Sequence, residues 1–220
     1  APDLTKTERY LHRSPDSSGV GTFGYDSAIA GMPYEERSIS NTNQVLTKKL
    51  TTWTTSQFQT GGGYTVQAAH WHPRVAQQET IIYDTLGNGV SSTVKYQYEN
   101  ETNLTRQSPL LTKKTLQYAF VTAGSSLPSP PVRTTENTFL INDSNYDSTK
   151  QYYIDQNMVG LVTASVVMDG SNTVVSRSEM EYDEPAYEVI PFLGTMTNWD
   201  DPDTNYRGNP TTARVWDSTK

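Results

Sequence analysis

An all-β fold built from antiparallel hairpins is what this sequence predicts, on three observations. The first is alternation: in the stretch Glu79–Glu99, Val94, Tyr96 and Tyr98 alternate with Thr93, Lys95 and Gln97, the period of two expected of a half-buried strand. The second is turn chemistry. Gly87-Asn88-Gly89 and Asp169-Gly170-Ser171-Asn172 each separate two β-prone runs, and Gly and Asn tolerate the positive φ of a tight reversal. The third is composition. Aromatic residues make up 10% of the chain although only 34% is hydrophobic, a balance that suits thin sheets with much polar face.

At 220 residues the chain has room for one larger β domain or two smaller ones. A net charge of −7 argues against nucleic acid or an anionic membrane as partner. Cysteine is absent, which excludes disulfides, thiol catalysis and cysteine-ligated zinc. No apolar run approaches the roughly 18 residues of a membrane span, so membrane insertion is not expected. The first residue is Ala1 and the last four are Asp-Ser-Thr-Lys, and the chain reads as an excised segment.

Taken in order, Thr7–His12 leads through a turn-rich passage, Ser14–Gly24, to two predicted strands. These are Met32–Ser40 and Gln44–Thr54, with Asn41-Thr42-Asn43 between them. Thr135–Leu140 opens the same plan again: a turn-rich passage at Asn142–Ser148, then strands Leu161–Met168 and Thr173–Tyr182. Residues match at one offset. Tyr10-Leu11 corresponds to Phe139-Leu140, Phe23 to Tyr152, Asp26 to Asp155, Val45-Leu46 to Val174-Val175, Lys48 to Arg177 and Trp53 to Tyr182, each pair 129 apart. The sequence therefore predicts an internal duplication. Between the copies, Gly61-Gly62-Gly63 reads as a turn, Tyr64–His72 as another alternating run, and Leu116, Tyr118 and Phe120 as one face of a short strand. Ala123–Val132, with three prolines and three serines, predicts a linker. The expected organisation is a first block at 1–122, that linker at 123–132, and a second block at 133–220, truncated at its C-terminal end.

Several short motifs carry a family resemblance. Tyr83-Asp84-x-x-Gly87-Asn88 resembles the Tyr-Asp repeat of the RHS/YD-repeat family. Arg207-Gly208-Asn209-Pro210-Thr211 resembles that family's Gly-Asn-x-Thr turn, and Asn103-Leu104-Thr105-Arg106 fits it with Thr102 in place of Gly. Glu181-Tyr182-Asp183 sits where a repeat strand would end, and Tyr25-Asp26 lacks the Gly-Asn that should follow. The Thr-Glu-x-x-Phe-Leu opening at 135–140 and the passage Asn157–Val162 look like those of large bacterial RHS proteins. The resemblance implies a strip of β-hairpins wound into a hollow shell, one that encloses a toxin in bacterial proteins and forms the extracellular shell of teneurins. The structural motif residues it implies are Tyr83, Asp84, Gly87, Asn88, Asn103, Thr105, Gly208, Asn209 and Thr211, to which the hairpin turn adds Asp169 and Gly170. Physically, Tyr should end a strand with its ring on a neighbour and its hydroxyl near water. Asp should cap backbone N–H groups of the turn, and Gly-Asn should supply its left-handed residues.

Three groupings suggest chemistry, and each has a plainer reading. His70-Trp71-His72 places two imidazoles close enough to share a metal, but no third ligand is near and solvated strand residues explain them better. Asp200–Asn205 has oxygen ligands at alternate positions, yet Tyr206 stands where a calcium loop needs Gly and Thr212 where it needs Glu; a surface turn is the better account. Glu181, Asp183, Glu184 and Glu188 crowd near Tyr182 and Tyr187, as glycosidase carboxylates do, but alternating aromatic and polar residues are ordinary strand pattern. No nucleophile elbow or phosphate loop occurs. The sequons at Asn100, Asn103 and Asn142 matter only in a eukaryotic secretory host.

The expectation is thus a non-enzymatic scaffold segment without cofactor or metal, extracellular or on a bacterial cell surface. Its partners would be the neighbouring repeats of its own polypeptide and an enclosed toxin or effector. The alternative is a carbohydrate- or protein-binding adhesion module, with Trp71 or Trp199 stacking on a cell-surface glycan.

Overall fold

The computed structural model describes residues 6–12, 29–58, 70–99, 111–156, 158–183 and 207–217. Among them are eleven strands and one α-helix, so the protein is all-β and mostly antiparallel. The strands are β1 (Lys6–Leu11), β2 (Pro33–Ile39), β3 (Val45–Phe58), β4 (His70–Tyr83), β5 (Gly89–Tyr98), β6 (Thr112–Gln117), β7 (Val121–Thr122), β8 (Arg133–Phe139), β9 (Val162–Asp169), β10 (Val174–Tyr182) and β11 (Pro210–Asp217). The helix is α1 (Lys150–Asp155). Two compact units form: Ala1–Thr135 with Met168–Thr173, and Glu136–Val167 with Val174–Lys220.

In the first unit β1 to β6 pair in sequence order, and β7 adds to β5. Directly opposed residues of an antiparallel pair share a face. One face therefore carries Glu8, Arg37 and Lys48 in one row, and Tyr10, Glu35, Leu50 and Glu79 in the next. Glu35 is only 8% exposed, and it is ion-paired to Arg37 and, at 3.2 Å, to Lys48. The Arg37 guanidinium lies 4.7 Å from the centre of the Tyr10 ring. Across β1 to β3 this face is held by paired charges and a cation–π contact, and it becomes apolar at Ile81, opposite Lys48 on β4.

Apolar packing tightens where the chain recrosses β5. Ile81, Ser91 and Thr93 are buried there, and the Ala123 amide donates to the Gly89 carbonyl at 2.9 Å. A Cβ on Gly89 would stand 2.9 Å from Ile81 Cγ2, 3.0 Å from Ala123 Cβ and 3.1 Å from a Tyr83 ring carbon. Gly89→Ala is accordingly expected to lower stability by about 2 kcal/mol through overpacking. A urea midpoint unchanged from wild type would show that Ala123 does not press on β5 as described.

One expectation for this region needs correction. The strand carrying Leu116 stops at Gln117, and the Tyr118 amide donates to the Thr93 carbonyl. Phe120 is 65% exposed because the chain bends there to lay β7 back on β5. The passage at 123–132 is bonded at both ends, Ala123 to Gly89 and Val132 N–H to the Gln117 carbonyl at 2.8 Å.

The second unit has a true core. Leu140, Tyr153 and Tyr182 are buried together, with Tyr146, Met158, Leu161 and Met180 packed around them. The passage read as turns holds a 3-10 turn, Ser144–Tyr146, preceded by another at Leu140–Asn142 and followed by α1. Six residues make a helix too short to stand alone. It is held by the burial of Tyr153, 1% exposed, and by a Gln151–Asp155 hydrogen bond of 2.8 Å.

The 129-residue offset reappears in the geometry. β2 and β3 begin at Pro33 and Val45, and β9 and β10 begin 129 residues later, at Val162 and Val174. The pairing of β3 with β4 slips between Thr52 and Trp53, and that of β10 with β11 slips between Glu181 and Tyr182, the equivalent positions. Trp53 Nε1–H donates to the Pro33 carbonyl at 2.9 Å, and the Tyr182 hydroxyl donates to the Val162 carbonyl at 3.0 Å. Both rings thus reach back across their own hairpin to the same backbone position. Tyr182 is 8% exposed, and its hydroxyl is spent on the Val162 carbonyl. Phe23 and Asp26 of the predicted match lie outside the described residues.

Candidate functional site

Three hairpin turns share one set of hydrogen bonds. In Ser40–Gln44, Asp84–Asn88 and Asp169–Thr173 the first residue's N–H donates to the fifth residue's carbonyl, and the fourth residue's N–H donates back to the first residue's carbonyl. The first side chain then accepts from the third and fifth amides. Ser40 Oγ takes Thr42 and Gln44 at 3.3 and 3.1 Å, Asp84 Oδ1 takes Leu86 and Asn88 at 2.9 and 2.8 Å, and Asp169 Oδ1 takes Ser171 and Thr173 at 2.8 and 2.9 Å. The fourth residue is left-handed in each: Asn43 at φ 61°, Gly87 at 84° and Asn172 at 61°. This is a type I turn closed by a bulge, locked by an Asx-type cap.

The division of labour inside Gly-Asn differs from the expected one. Only Gly87 is left-handed in Asp84–Asn88, whereas Asn88 donates from its Nδ2 to Asp84 Oδ2 at 3.0 Å. In Asp169–Thr173 the left-handed residue is Asn172 and not Gly170. These hydrogen bonds, the Asn88 side chain's first, hold the Asp84 carboxyl below the usual carboxylate range. A depressed folded pKa means the contribution is present at neutral pH and is lost as pH falls through that lowered value. An NMR titration of Asp84 should therefore give a midpoint below that of a model peptide. A midpoint at or above the peptide's would contradict the cap.

A fourth junction uses the same parts with a long insertion. The Asp183 N–H donates to the Asn209 carbonyl at 3.0 Å, as Asp84 does to Asn88. Asp183 Oδ1 accepts from the Asn209 amide at 3.0 Å, and Oδ2 accepts from the amides of Arg207 and Gly208 at 2.9 and 2.7 Å. The Tyr153 hydroxyl donates to Oδ2 as well, at 2.9 Å. Gly208 has φ 69°, and the Thr211 hydroxyl donates to the Glu181 carbonyl at 3.1 Å. Tyr182-Asp183 and Gly208-Asn209-x-Thr211, two motifs far apart in sequence, meet as one turn.

Other candidates fare variously. His70, Trp71 and His72 open β4 opposite Phe58, Gln57 and Ser56, and their side chains lie outside the described residues. Trp199, Asn103, Thr105, Asp200–Tyr206, Glu184, Tyr187 and Glu188 also lie outside them, while Thr212 sits in β11 opposite Glu181. Among the described residues no group of three His, Asp or Glu could hold a metal, and no helix is long and apolar enough to cross a membrane.

A cavity of about 540 Å³ in the second unit is walled in part by Asp143, Glu179, Glu181 and Asp183. Each of these carboxylates is engaged: Asp143 caps the Asn145 amide, Glu179 pairs with Arg177, Glu181 with Arg214, and Asp183 closes the junction just described. No family model matches the chain, and searches of curated proteins and of solved structures likewise return no match.

Proposed function

We propose that the chain is a structural segment of a YD-repeat-type scaffold in a secreted or surface-exposed bacterial protein, where it forms part of a β wall. The observation that supports this reading is the reuse of one capped turn at three hairpins, and of its aspartate cap at a fourth reversal where an insertion separates Asp183 from its Asn209 partner. A chain that spends its aspartates on backbone amides is built to repeat a hairpin. The cavity carboxylates fit the same reading, since each serves a turn or an ion pair. In this reading the partners are neighbouring hairpins of the same polypeptide and an enclosed toxin or effector, and no cofactor takes part. Cryo-electron microscopy of the full natural polypeptide tests the proposal. Hairpins continuing beside β1 and β11 around an enclosed volume are expected; a free-standing domain with no neighbouring hairpins would defeat it.

A further inference from the structure

On β10 and β11 a concavity of about 530 Å³ is lined by Val174, Arg177, Glu179, Arg214, Val215 and Trp216. Trp216 stands directly across from Arg177, and Arg214 across from Glu179, so these four share one sheet face. One large apolar side chain on this face is left open to water, Trp216 at 50% exposure, while Val215 pairs with Ser178 and belongs to the other face. The charges around Trp216 are neutralised in pairs. Arg177 Nη2 lies 2.5 Å from Glu179 Oε1, and Arg214 forks onto both oxygens of Glu181.

We infer that this shelf binds a neutral saccharide, with the C–H face of a pyranose ring on the Trp216 indole and its hydroxyls on the Arg177–Glu179 pair. An anion would gain little here, because each guanidinium already faces a carboxylate and the chain carries a net charge of −7. A wholly apolar ligand would desolvate the ion pairs without replacing their hydrogen bonds. A sugar ring combines an apolar face with a rim of donors and acceptors, which matches an aromatic floor beside a fixed ion pair. The site is independent of the scaffold reading, since a wall segment without a sugar site is still a wall.

The test is a glycan array on the 220-residue chain, followed by calorimetry and ¹H–¹⁵N spectra with the best neutral glycan. Retention of a neutral glycan is expected, with shifts at the Trp216 indole and the Arg177 Nε–H. Affinity should fall at least about tenfold in Trp216→Ala and less in Trp216→Phe, which keeps a stacking face. Arg177→Met should weaken binding several-fold while leaving the circular dichroism spectrum unchanged. Binding to no glycan, equal binding by Trp216→Ala, or a preference for acidic glycans or peptides over neutral sugars would overturn the inference.

Discussion

Tyr182→Ala is expected to destabilise the second unit by about 4 kcal/mol, the range for removing a buried aromatic side chain. The ring is buried against Leu140 and Tyr153, its hydroxyl donates to the Val162 carbonyl, and its own amide donates to the Tyr146 hydroxyl at 3.0 Å. Truncation leaves a void in a small core and the half-buried Val162 carbonyl without its donor. Tyr182→Phe keeps the ring and removes only that hydrogen bond, so its effect should be about 1 kcal/mol. Urea unfolding of the two variants separates packing from hydrogen bonding. Equal losses would mean that the hydroxyl, and not the ring, holds the strand.

Asp183→Ala is expected to cost about 3 kcal/mol, because three backbone amides and the Tyr153 hydroxyl lose their acceptor at once. Asp183→Asn should fall between wild type and alanine, since a carboxamide keeps one accepting oxygen and turns the other position into a donor. Amide hydrogen exchange at Arg207, Gly208 and Asn209 is the direct readout. These three should lose protection together in Asp183→Ala. Independent behaviour of the three would show that Asp183 is not their common anchor.

Much of the fold was legible because strands and turns are written locally. Alternation from Val94 to Tyr98 marks β5, and Asn41-Thr42-Asn43 and Asp169–Asn172 mark hairpin tips. The match of Trp53 with Tyr182 was legible because each stands at the slip of its own strand pairing, so aromatic character persists where identity does not. The cap in Ser40–Gln44 was harder to see. A serine hydroxyl accepts the same two amides as an aspartate, but the turn lacks the Tyr-Asp signature that marks Asp84.

Helix α1 was missed for a different reason. Tyr152, Tyr153 and Ile154 have β-prone side chains, and only the tertiary burial of Tyr153 makes that stretch helical. The joining of Asp183 to Gly208-Asn209 was equally out of reach, because turn signals are read over a few residues and this turn closes over more than twenty. The Trp216 shelf depends on which residues of β10 and β11 oppose each other, and no local pattern sets that register across so long a connection.

One capped hairpin turn is used repeatedly in this chain, so its copies should be interchangeable. The direct measurement is the urea midpoint of a chain in which residues 40–44 are replaced by the Asp-Gly-Ser-Asn-Thr sequence of 169–173. A midpoint equal to or above that of wild type is expected, because aspartate then accepts from the amides that Ser40 Oγ now holds. A chain that unfolds at markedly lower urea would contradict the equivalence on which the account rests.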